Sequence, residues 1–258
     1  HVVSYLRDHV VGGAIVLPGT AYAELALAAS AEYYGTANAE FEELEIRTSI
    51  LLDEEHTRTI RFELNPQDGS FQIKSRARLS DEPWTVNAVG RLVGASLAAQ
   101  PDDVDLTRAM QAAPIVASAQ HYRLCHELGL NFGPAFQGFK QAWSDGDAIL
   151  AEIILPAAAA GNMDKHVLHP VLADACFQTL LALLRAEIET GQRAVLLPVR
   201  IGRLRMFGDG SAARYCQTRM VKRSPHSVLA DFRVLDAEGR VVAELLGVRR
   251  LADLHLGE

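Results

Sequence analysis

The sequence is poor in cysteine: three occur in 258 residues, at positions 125, 176 and 216. They are odd in number and widely spaced, so they form neither a disulfide framework nor a CxxC metal clip. Free thiols indicate a reducing compartment, and we therefore expect a cytoplasmic protein.

The chain also lacks an excess of positive charge and a long apolar run. Its formal net charge is −7 at pH 7, which argues against nucleic-acid binding, because phosphate neutralisation needs a basic face. Its most apolar stretch, Thr20–Ser30, contains Glu24 and is shorter than the about 18 to 20 residues of a membrane span. We therefore predict neither a nucleic-acid partner nor a membrane span.

Two catalytic motifs are missing as well. GxSxG and GxxxxGK[ST] do not occur, so serine hydrolase and nucleotide chemistry have no support. The sequence begins at His1 without a methionine or a signal peptide, and we expect it to be part of a longer protein. Apolar residues make up 49% of the chain, enough for a sizeable core.

Two apolar helical segments stand out. The first follows Pro18 and ends near Gly35; the second follows Pro170 and ends near Gly191. Each has proline at its start and glycine beyond its end, and little of either circumference is polar. Both helices are therefore expected to be buried on most sides.

A series of strand-like segments follows each helix. The predicted strands are Phe41–Leu52, Thr57–Leu64, Phe71–Leu79 and Trp84–Val93, and then Val195–Met206, Arg214–Lys222, Val228–Leu235 and Val241–Leu251. Turns are predicted at Asn65–Gly69 and Asp236–Gly239, and a short helix around Leu106–Ala112. The repeated pattern predicts an α+β fold with two curved antiparallel sheets, each wrapped around a central helix.

His9 is the first candidate for chemistry. It ends a strand-like stretch and is followed by Gly12, Gly13 and Pro18. A backbone N–H near Gly13 or at the helix start could hold a thioester carbonyl and stabilise the charge that develops on it. A purely structural reading, with a core or capping histidine beside a turn, fits these residues too.

Asp174 is the second candidate, because it lies inside the helix that follows Pro170 among apolar neighbours. Burial there disfavours the anion, so we expect a carboxylic acid that can donate a proton near neutral pH. Gln178, one turn later on the same face, is placed to orient it. The alternative is a solvated polar stripe formed by Asp174, Gln178 and Arg185.

A Gly-Pro turn among apolar and aromatic residues lies within Leu128–Phe136. Alone it predicts only a turn that enters a strand starting near Phe136, but it could also shape a tunnel for an acyl chain. The histidines form no convincing metal site: neither His166 and His169 nor His121 and His126 belong to a convincing set with Cys or carboxylate residues. His169 is better suited to position the turn into the second helix.

Four segments together resemble the dehydratase domains of modular polyketide synthases. His9, Gly13 and Pro18 fit HxxxGxxxxP, Leu128–Phe136 resembles GYxxGPxF, and Leu197-Pro198 resembles an LPxxx segment. The segment from His169 to Gln178 resembles HPxxxDxxxQ. Each motif alone is weak, but the four occur in the family's order across nearly the whole chain.

The resemblance implies a double hotdog fold. On that basis we expect an N-terminal hotdog subdomain at 1–98 carrying His9, a linker at 99–117, and a C-terminal hotdog subdomain at 118–258 carrying Asp174. It also implies that a 3-hydroxyacyl thioester loses water, with His9 as base and Asp174 as acid. The substrate would arrive on the phosphopantetheine arm of an acyl carrier protein, without a cofactor in the domain, inside a homodimeric synthase.

Further site residues follow from the same resemblance. Gln178 and Gly13 are expected to position the acid and the thioester carbonyl. The expected walls of the acyl tunnel are Leu17, Leu130, Phe132, Pro134 and Phe136. Leu130 and Phe132 replace tyrosines that many family members carry, so we expect activity with an altered substrate preference.

Other functions are compatible with the same residues. A double-bond isomerase or a hydratase would use the same acid–base pair, and a non-catalytic domain could bind acyl chains or dock a carrier protein. A hotdog thioesterase is a further alternative, disfavoured by the paired motifs and the doubled length.

Overall fold

A computed structural model describes residues 4–52, 57–95, 98–190, 196–224 and 226–252. The α-helices are α1 (Gly19–Tyr34), α2 (Leu106–Met110), α3 (Ser118–Glu127), α4 (Pro170–Leu183) and α5 (Arg185–Glu189). Short 3₁₀ helices lie at Ser4–Asp8, Pro134–Phe136, Ala157–Lys165 and Gly210–Ala212.

The first-half strands are β1 (His9–Val11), β2 (Ala14–Ile15), β3 (Ala39–Ile46), β4 (Arg58–Leu64), β5 (Ser70–Ala77) and β6 (Thr85–Ala95). The later strands are β7 (Val116–Ala117), β8 (Leu130–Phe132), β9 (Phe139–Asp145), β10 (Ala148–Ile153), β11 (Leu196–Met206), β12 (Tyr215–Ser224), β13 (Ser227–Leu235) and β14 (Val241–Ala252).

The two long helices are each enclosed by strands. Helix α1 contacts β3 and β6, whereas α4 contacts β9, β10, β12 and β13. In α4 every residue from Pro170 to Ala182 is buried, as expected for a helix without a polar face. The expected architecture of antiparallel strands around each of two central helices is therefore observed.

The two halves share one sheet. Its eleven strands run in the order β4-β5-β6-β3-β11-β14-β13-β12-β10-β9-β7. Antiparallel pairing of β3 with β11, the fourth and fifth strands in this order, joins the halves, with Leu44 opposite Ile201. The alternation of apolar residues predicts strands but does not say which strands pair, so this continuity was not predicted.

A second, three-stranded sheet brings distant segments together. Its order is β2-β1-β8, and His9 pairs with Phe132 while Val11 pairs with Leu130. The first motif therefore lies directly beside the Gly-Pro segment, although one belongs to each half.

Both predicted helix starts are confirmed, and so is one of the two predicted helix ends. Helix α1 begins after Pro18 and ends before Gly35, which has φ 63. The second helix begins at Pro170 but is shorter than predicted, because the backbone at Leu184 leaves helical geometry with ψ 1 and separates α4 from α5. The predicted end near Gly191 lies outside the described residues.

The strand predicted at Phe41–Leu52 is too long. It ends at Ile46, because the N–H groups of Arg47 and Thr48 both donate to the Asn87 carbonyl and turn the chain. The chain beyond the turn instead pairs with the segment before α1, where the Leu17 N–H donates to the Ile50 carbonyl.

Several elements differ from prediction in the middle of the chain. The segment 99–117 contains β7 as well as α2, which ends at Met110 rather than Ala112. Helix α3 and strand β10 were not predicted, whereas β9 begins at Phe139, three residues after the strand start predicted near Phe136. The turns at Asn65–Gly69 and Asp236–Gly239 are confirmed; their glycines adopt φ 74 and φ 87, which favours glycine.

Candidate active site

His9 is buried at the start of β1, with 8% of its surface exposed. Its Nδ1 lies 2.8 Å from the carbonyl oxygen of Val16. A carbonyl only accepts hydrogen bonds, so Nδ1 carries the proton and donates it. In the neutral ring Nε2 is then the unprotonated nitrogen, which is the form that a general base requires.

Asp174 faces this nitrogen from α4. Its Oδ1 lies 3.8 Å from His9 Nε2, and 7% of the residue is exposed. Its other oxygen, Oδ2, accepts a 2.9 Å hydrogen bond from the Gln178 amide, as the helical spacing predicts. The structure therefore brings the three main candidates together and rules out a solvated polar stripe for Asp174 and Gln178, both of which are buried.

The start of α4 is tied to α1. The Thr20 hydroxyl donates to the Pro170 carbonyl at 2.9 Å, and Glu24 accepts from the backbone N–H groups of Val167 and Leu168. Burial raises the pKa of Glu24 to about 7, with these two hydrogen bonds partly opposing the rise. These contacts hold the helix that carries Asp174 against the N-terminal half.

His169 caps α4, in agreement with its predicted role. Its Nδ1 accepts from the Val171 N–H at 3.2 Å. Burial lowers the pKa of His169 to about 4, so the ring is neutral at physiological pH and can act as this acceptor.

The Gly-Pro segment is fixed by Asp8, the residue before His9. Asp8 Oδ2 accepts from the Ala135 N–H at 2.7 Å, and its carbonyl accepts from the Gly133 N–H. A Cβ at Gly133 would lie 2.5 Å from Asp8 Cγ, so glycine is required by this close approach. The segment places the Phe136 ring 5.0 Å from the His9 ring, between centroids.

A pocket opens beside the His9–Asp174 pair. Its lining residues are His9, Val11, Gly19, Leu130, Phe132, Asp174, Phe177, Gln178, Leu181, Leu197, Pro198 and Arg250. Five predicted site residues are among them, as are both residues of the Leu197-Pro198 motif.

Four predicted site residues are not part of this lining. Gly13 is exposed in the turn between β1 and β2, and Pro134 is exposed at the start of a 3₁₀ helix. Leu17 is buried in the main core, and Phe136 is fully buried behind the His9 ring. Gly19, the first residue of α1, lines the pocket instead. Of the two backbone sites expected to bind the thioester carbonyl, Gly13 and the helix start, only the helix start therefore lines this pocket.

Two polar residues of the site, Tyr122 and Arg250, were missed by sequence reasoning. Tyr122, on α3, donates to Gln178 Oε1 at 3.0 Å; its segment carried no family motif. Arg250, on β14, lines the pocket and donates to the Phe177 carbonyl at 2.8 Å. The signal available for Arg250 was strand alternation, which places it on the same face as the apolar Val248.

Arg250 places a positive charge next to the acid. Burial lowers its pKa to about 10, and the charge of Asp174 partly offsets that effect. The guanidinium therefore remains protonated at neutral pH and can stabilise a carboxylate at Asp174.

The described ranges contain neither a metal cluster nor a membrane-spanning helix. No group of three or more His, Cys, Asp or Glu residues there could hold a metal ion. No helix among these residues has the length and apolar character needed to cross a membrane.

The fold and the site define a class of protein: two hotdog units with a histidine from one and an aspartate from the other facing a shared pocket. Comparison with protein families gives the same result. The family described as "Polyketide synthase dehydratase N-terminal domain" matches residues 101–251, and the one described as "Polyketide synthase dehydratase domain" matches residues 2–78. The chain belongs to the dehydratase domains of polyketide synthases.

Individual relatives agree with this assignment. The phthioceranic/hydroxyphthioceranic acid synthase of Mycobacterium tuberculosis is 29% identical over 251 residues, 95% of this chain and 12% of that protein. This chain thus corresponds to a small part of the much longer synthases that it matches.

Solved structures show the same fold. The dehydratase domain of a mycocerosic acid synthase-like polyketide synthase has a TM-score of 0.84 and 29% identity, covering 98% of this chain and 88% of that one. An inactive histidine-to-phenylalanine mutant of the CurJ dehydratase has a TM-score of 0.83 and 25% identity, covering 97% and 87%.

Proposed function

We propose that this domain removes water from a 3-hydroxyacyl thioester, with His9 as general base and Asp174 as general acid. The observation that carries the proposal is the approach of His9 Nε2 to Asp174 Oδ1, 3.8 Å apart at the wall of one pocket. Dehydration needs a base and an acid at adjacent carbons of the substrate, and this pair supplies both.

The reaction balances with these two groups. His9 Nε2 removes a proton from the carbon between the carbonyl and the hydroxyl-bearing carbon. The electron pair of that C–H bond forms the double bond, the C–O bond breaks, and the hydroxyl takes the Asp174 proton and leaves as water. Proton transfer from protonated His9 to the Asp174 carboxylate then restores the starting state.

The surroundings support these roles. The Val16 carbonyl holds the His9 proton on Nδ1, and Arg250 favours the carboxylate that forms at Asp174 when it gives up its proton. The inactivity of the histidine-to-phenylalanine CurJ mutant, a relative with the same fold, agrees with a histidine base.

The substrate contacts belong to the proposal as well. A thioester carbonyl would accept a hydrogen bond from Gly13 or from the start of α1, and the acyl chain would pass Leu130 and Phe132. Contacts with Leu17, Pro134 and Phe136 need the chain to extend beyond the pocket described above.

The context of the domain is inferred from its family. We propose that an acyl carrier protein delivers the substrate on a phosphopantetheine arm, with no cofactor in the domain. The domain would act within a homodimeric cytoplasmic synthase, divided as 1–98, 99–117 and 118–258.

The direct test uses the purified protein and a 3-hydroxyacyl chain attached to a carrier protein. Mass spectrometry of the carrier should show loss of one water molecule with the wild-type protein and none with His9→Phe or Asp174→Asn. The same samples distinguish the alternatives: an isomerase would convert an added enoyl thioester to its positional isomer, and a non-catalytic binding domain would change neither.

A further inference from the structure

Gln178 makes its contacts with Asp174 from a fixed side-chain orientation. Its Nε2 donates to Asp174 Oδ2 at 2.9 Å and to the Phe136 carbonyl at 3.0 Å, so both amide protons are used. Its Oε1 points the opposite way and accepts from the Tyr122 hydroxyl at 3.0 Å.

The Tyr122 hydroxyl has one proton, and its surroundings determine where that proton goes. The backbone N–H of Phe139 donates to the hydroxyl oxygen at 2.8 Å. This contact occupies an acceptor site on the oxygen, while the proton remains available for the nearest acceptor. That acceptor is Gln178 Oε1 at 3.0 Å, nearer than the Phe136 carbonyl at 3.5 Å.

The direction of these bonds reaches the acid. Tyr122 donates to the Gln178 carbonyl oxygen, and the Gln178 amide donates to Asp174 Oδ2. In a carboxylic acid the carbonyl oxygen accepts hydrogen bonds better than the hydroxyl oxygen does. The oxygen that accepts from the Gln178 amide is therefore the one without the proton. The proton that Asp174 carries in the proposed reaction therefore belongs on Oδ1, the oxygen that lies toward His9.

We infer that Tyr122 is a positioning residue that acts through Gln178 to keep the Asp174 proton on Oδ1. The inference rests on the function proposed above and adds to it a residue outside the family motifs. Without the Tyr122 hydroxyl, Gln178 Oε1 is a buried acceptor that has lost this donor, and a rotated amide would present its carbonyl to Asp174 Oδ2. The proton would then be drawn to Oδ2, away from the leaving hydroxyl.

A double-mutant cycle tests whether Tyr122 acts through Gln178. Tyr122→Phe is expected to lower kcat about tenfold with KM within about twofold, since the loss concerns the acid and not binding. In a Gln178→Leu background, which retains His9 and Asp174, the same substitution should change kcat by less than about twofold. Equal losses in both backgrounds, or full activity of Tyr122→Phe, would overturn the inference.

Tyr22→Phe is the matched control. Tyr22 is also buried, and its hydroxyl also accepts a backbone N–H, that of Ile50 at 3.0 Å. Tyr22→Phe also removes a buried hydroxyl, but Tyr22 has no hydrogen bond to Gln178. The kcat of Tyr22→Phe should therefore stay within about twofold of wild type.

A measurement without turnover separates this inference from the proposed function. In protein labelled with ¹⁵N-glutamine, the two Gln178 side-chain amide protons should exchange slowly with solvent, and faster in Tyr122→Phe but not in Tyr22→Phe. Equal exchange rates in wild type and Tyr122→Phe would overturn the inference. If the wild-type domain removed no water from any substrate, the proposed function would be wrong. The exchange rates of the Gln178 amide protons would still test whether Tyr122 holds Gln178 in place.

Discussion

The Nε2 atom of His9 lies 3.8 Å from the Oδ1 atom of Asp174, although the two residues come from opposite halves of the chain. Contacts between the halves hold the elements that carry these two residues. Strand β1 pairs with β8, and the Thr20 hydroxyl bonds to the carbonyl of Pro170 at the start of α4. The catalytic geometry thus depends on how the halves are joined.

Loss of either member of the pair should stop the reaction while the fold remains. His9→Phe removes the base, and Asp174→Asn keeps the shape but removes the acid. General acid–base groups contribute roughly 10² to 10⁴ in rate, so turnover should fall by about that factor or more. Activity is measured on a carrier-bound 3-hydroxyacyl substrate, with thermal unfolding as the fold control. Full activity of either folded variant would contradict the mechanism.

Arg250→Met should reduce kcat roughly tenfold or more, because the carboxylate formed at Asp174 would lose its neighbouring positive charge. Arg250→Lys should recover part of that loss. The control is Arg249→Met on the same strand, since Arg249 is exposed and not part of the pocket lining. Equal rates for Arg249→Met and Arg250→Met would show that the charge at position 250 plays no part.

Glu24 should make stability depend on pH. Its pKa is about 7 in the folded protein against an ordinary value of 4.5, with burial as the main cause. Between these values the folded state binds more protons than the unfolded state. The stabilising contribution is therefore fully present below about pH 4.5 and lost as the pH rises through 7, up to about 3 kcal/mol.

The comparison variant is Glu24→Gln, which cannot titrate. Denaturant unfolding at pH 5 and pH 8 should show a larger loss of stability for wild type than for Glu24→Gln. The control is Glu32→Gln, on an exposed position of the same helix, which should follow the wild-type pH dependence. A Glu24→Gln variant with the same pH dependence as wild type would refute the assignment.

Gly133→Ala should destabilise the protein by roughly 1–3 kcal/mol, because the new Cβ would overlap Asp8 and displace the contact that holds the Gly-Pro segment. Activity should fall as well, since Asp8 precedes the base. Gly161→Ala is the control: a Cβ at Gly161 meets nothing within 4 Å. Unfolding free energies that do not differ between these variants would mean that the segment adjusts freely.

Much of the fold was predictable because local signals agree with it. Pro18 and Gly35 delimit α1, and Pro170 starts α4. Asp236–Gly239 forms the turn between β13 and β14. These features depend on backbone conformation, which short sequence segments determine directly.

The unpredicted parts depend on long-range contacts or on weak local signals. The pairing of β3 with β11 depends on contacts between the halves, which no short segment encodes. The β9–β10 hairpin did carry a signal, Asp145-Gly146 between two apolar runs, with Gly146 at φ 65.

The candidate site divides in the same way. His9, Asp174 and Gln178 fall in family motifs, and the helical spacing of the last two predicts their contact. Tyr122 and Arg250 reach the site only through tertiary packing, from α3 and β14. The prediction of Pro134 as a pocket wall fails to match the pocket described here because the 3₁₀ turn points that residue to solvent.

The proposed reaction of this domain is the removal of water from a 3-hydroxyacyl thioester. Mass spectrometry of a carrier-bound 3-hydroxyacyl chain, before and after incubation with the wild-type domain, tests it most directly. We predict that the carrier-bound chain loses one water molecule, and that the loss disappears with Asp174→Asn. An unchanged mass with the folded wild-type domain across a series of chain lengths and both hydroxyl configurations would contradict it.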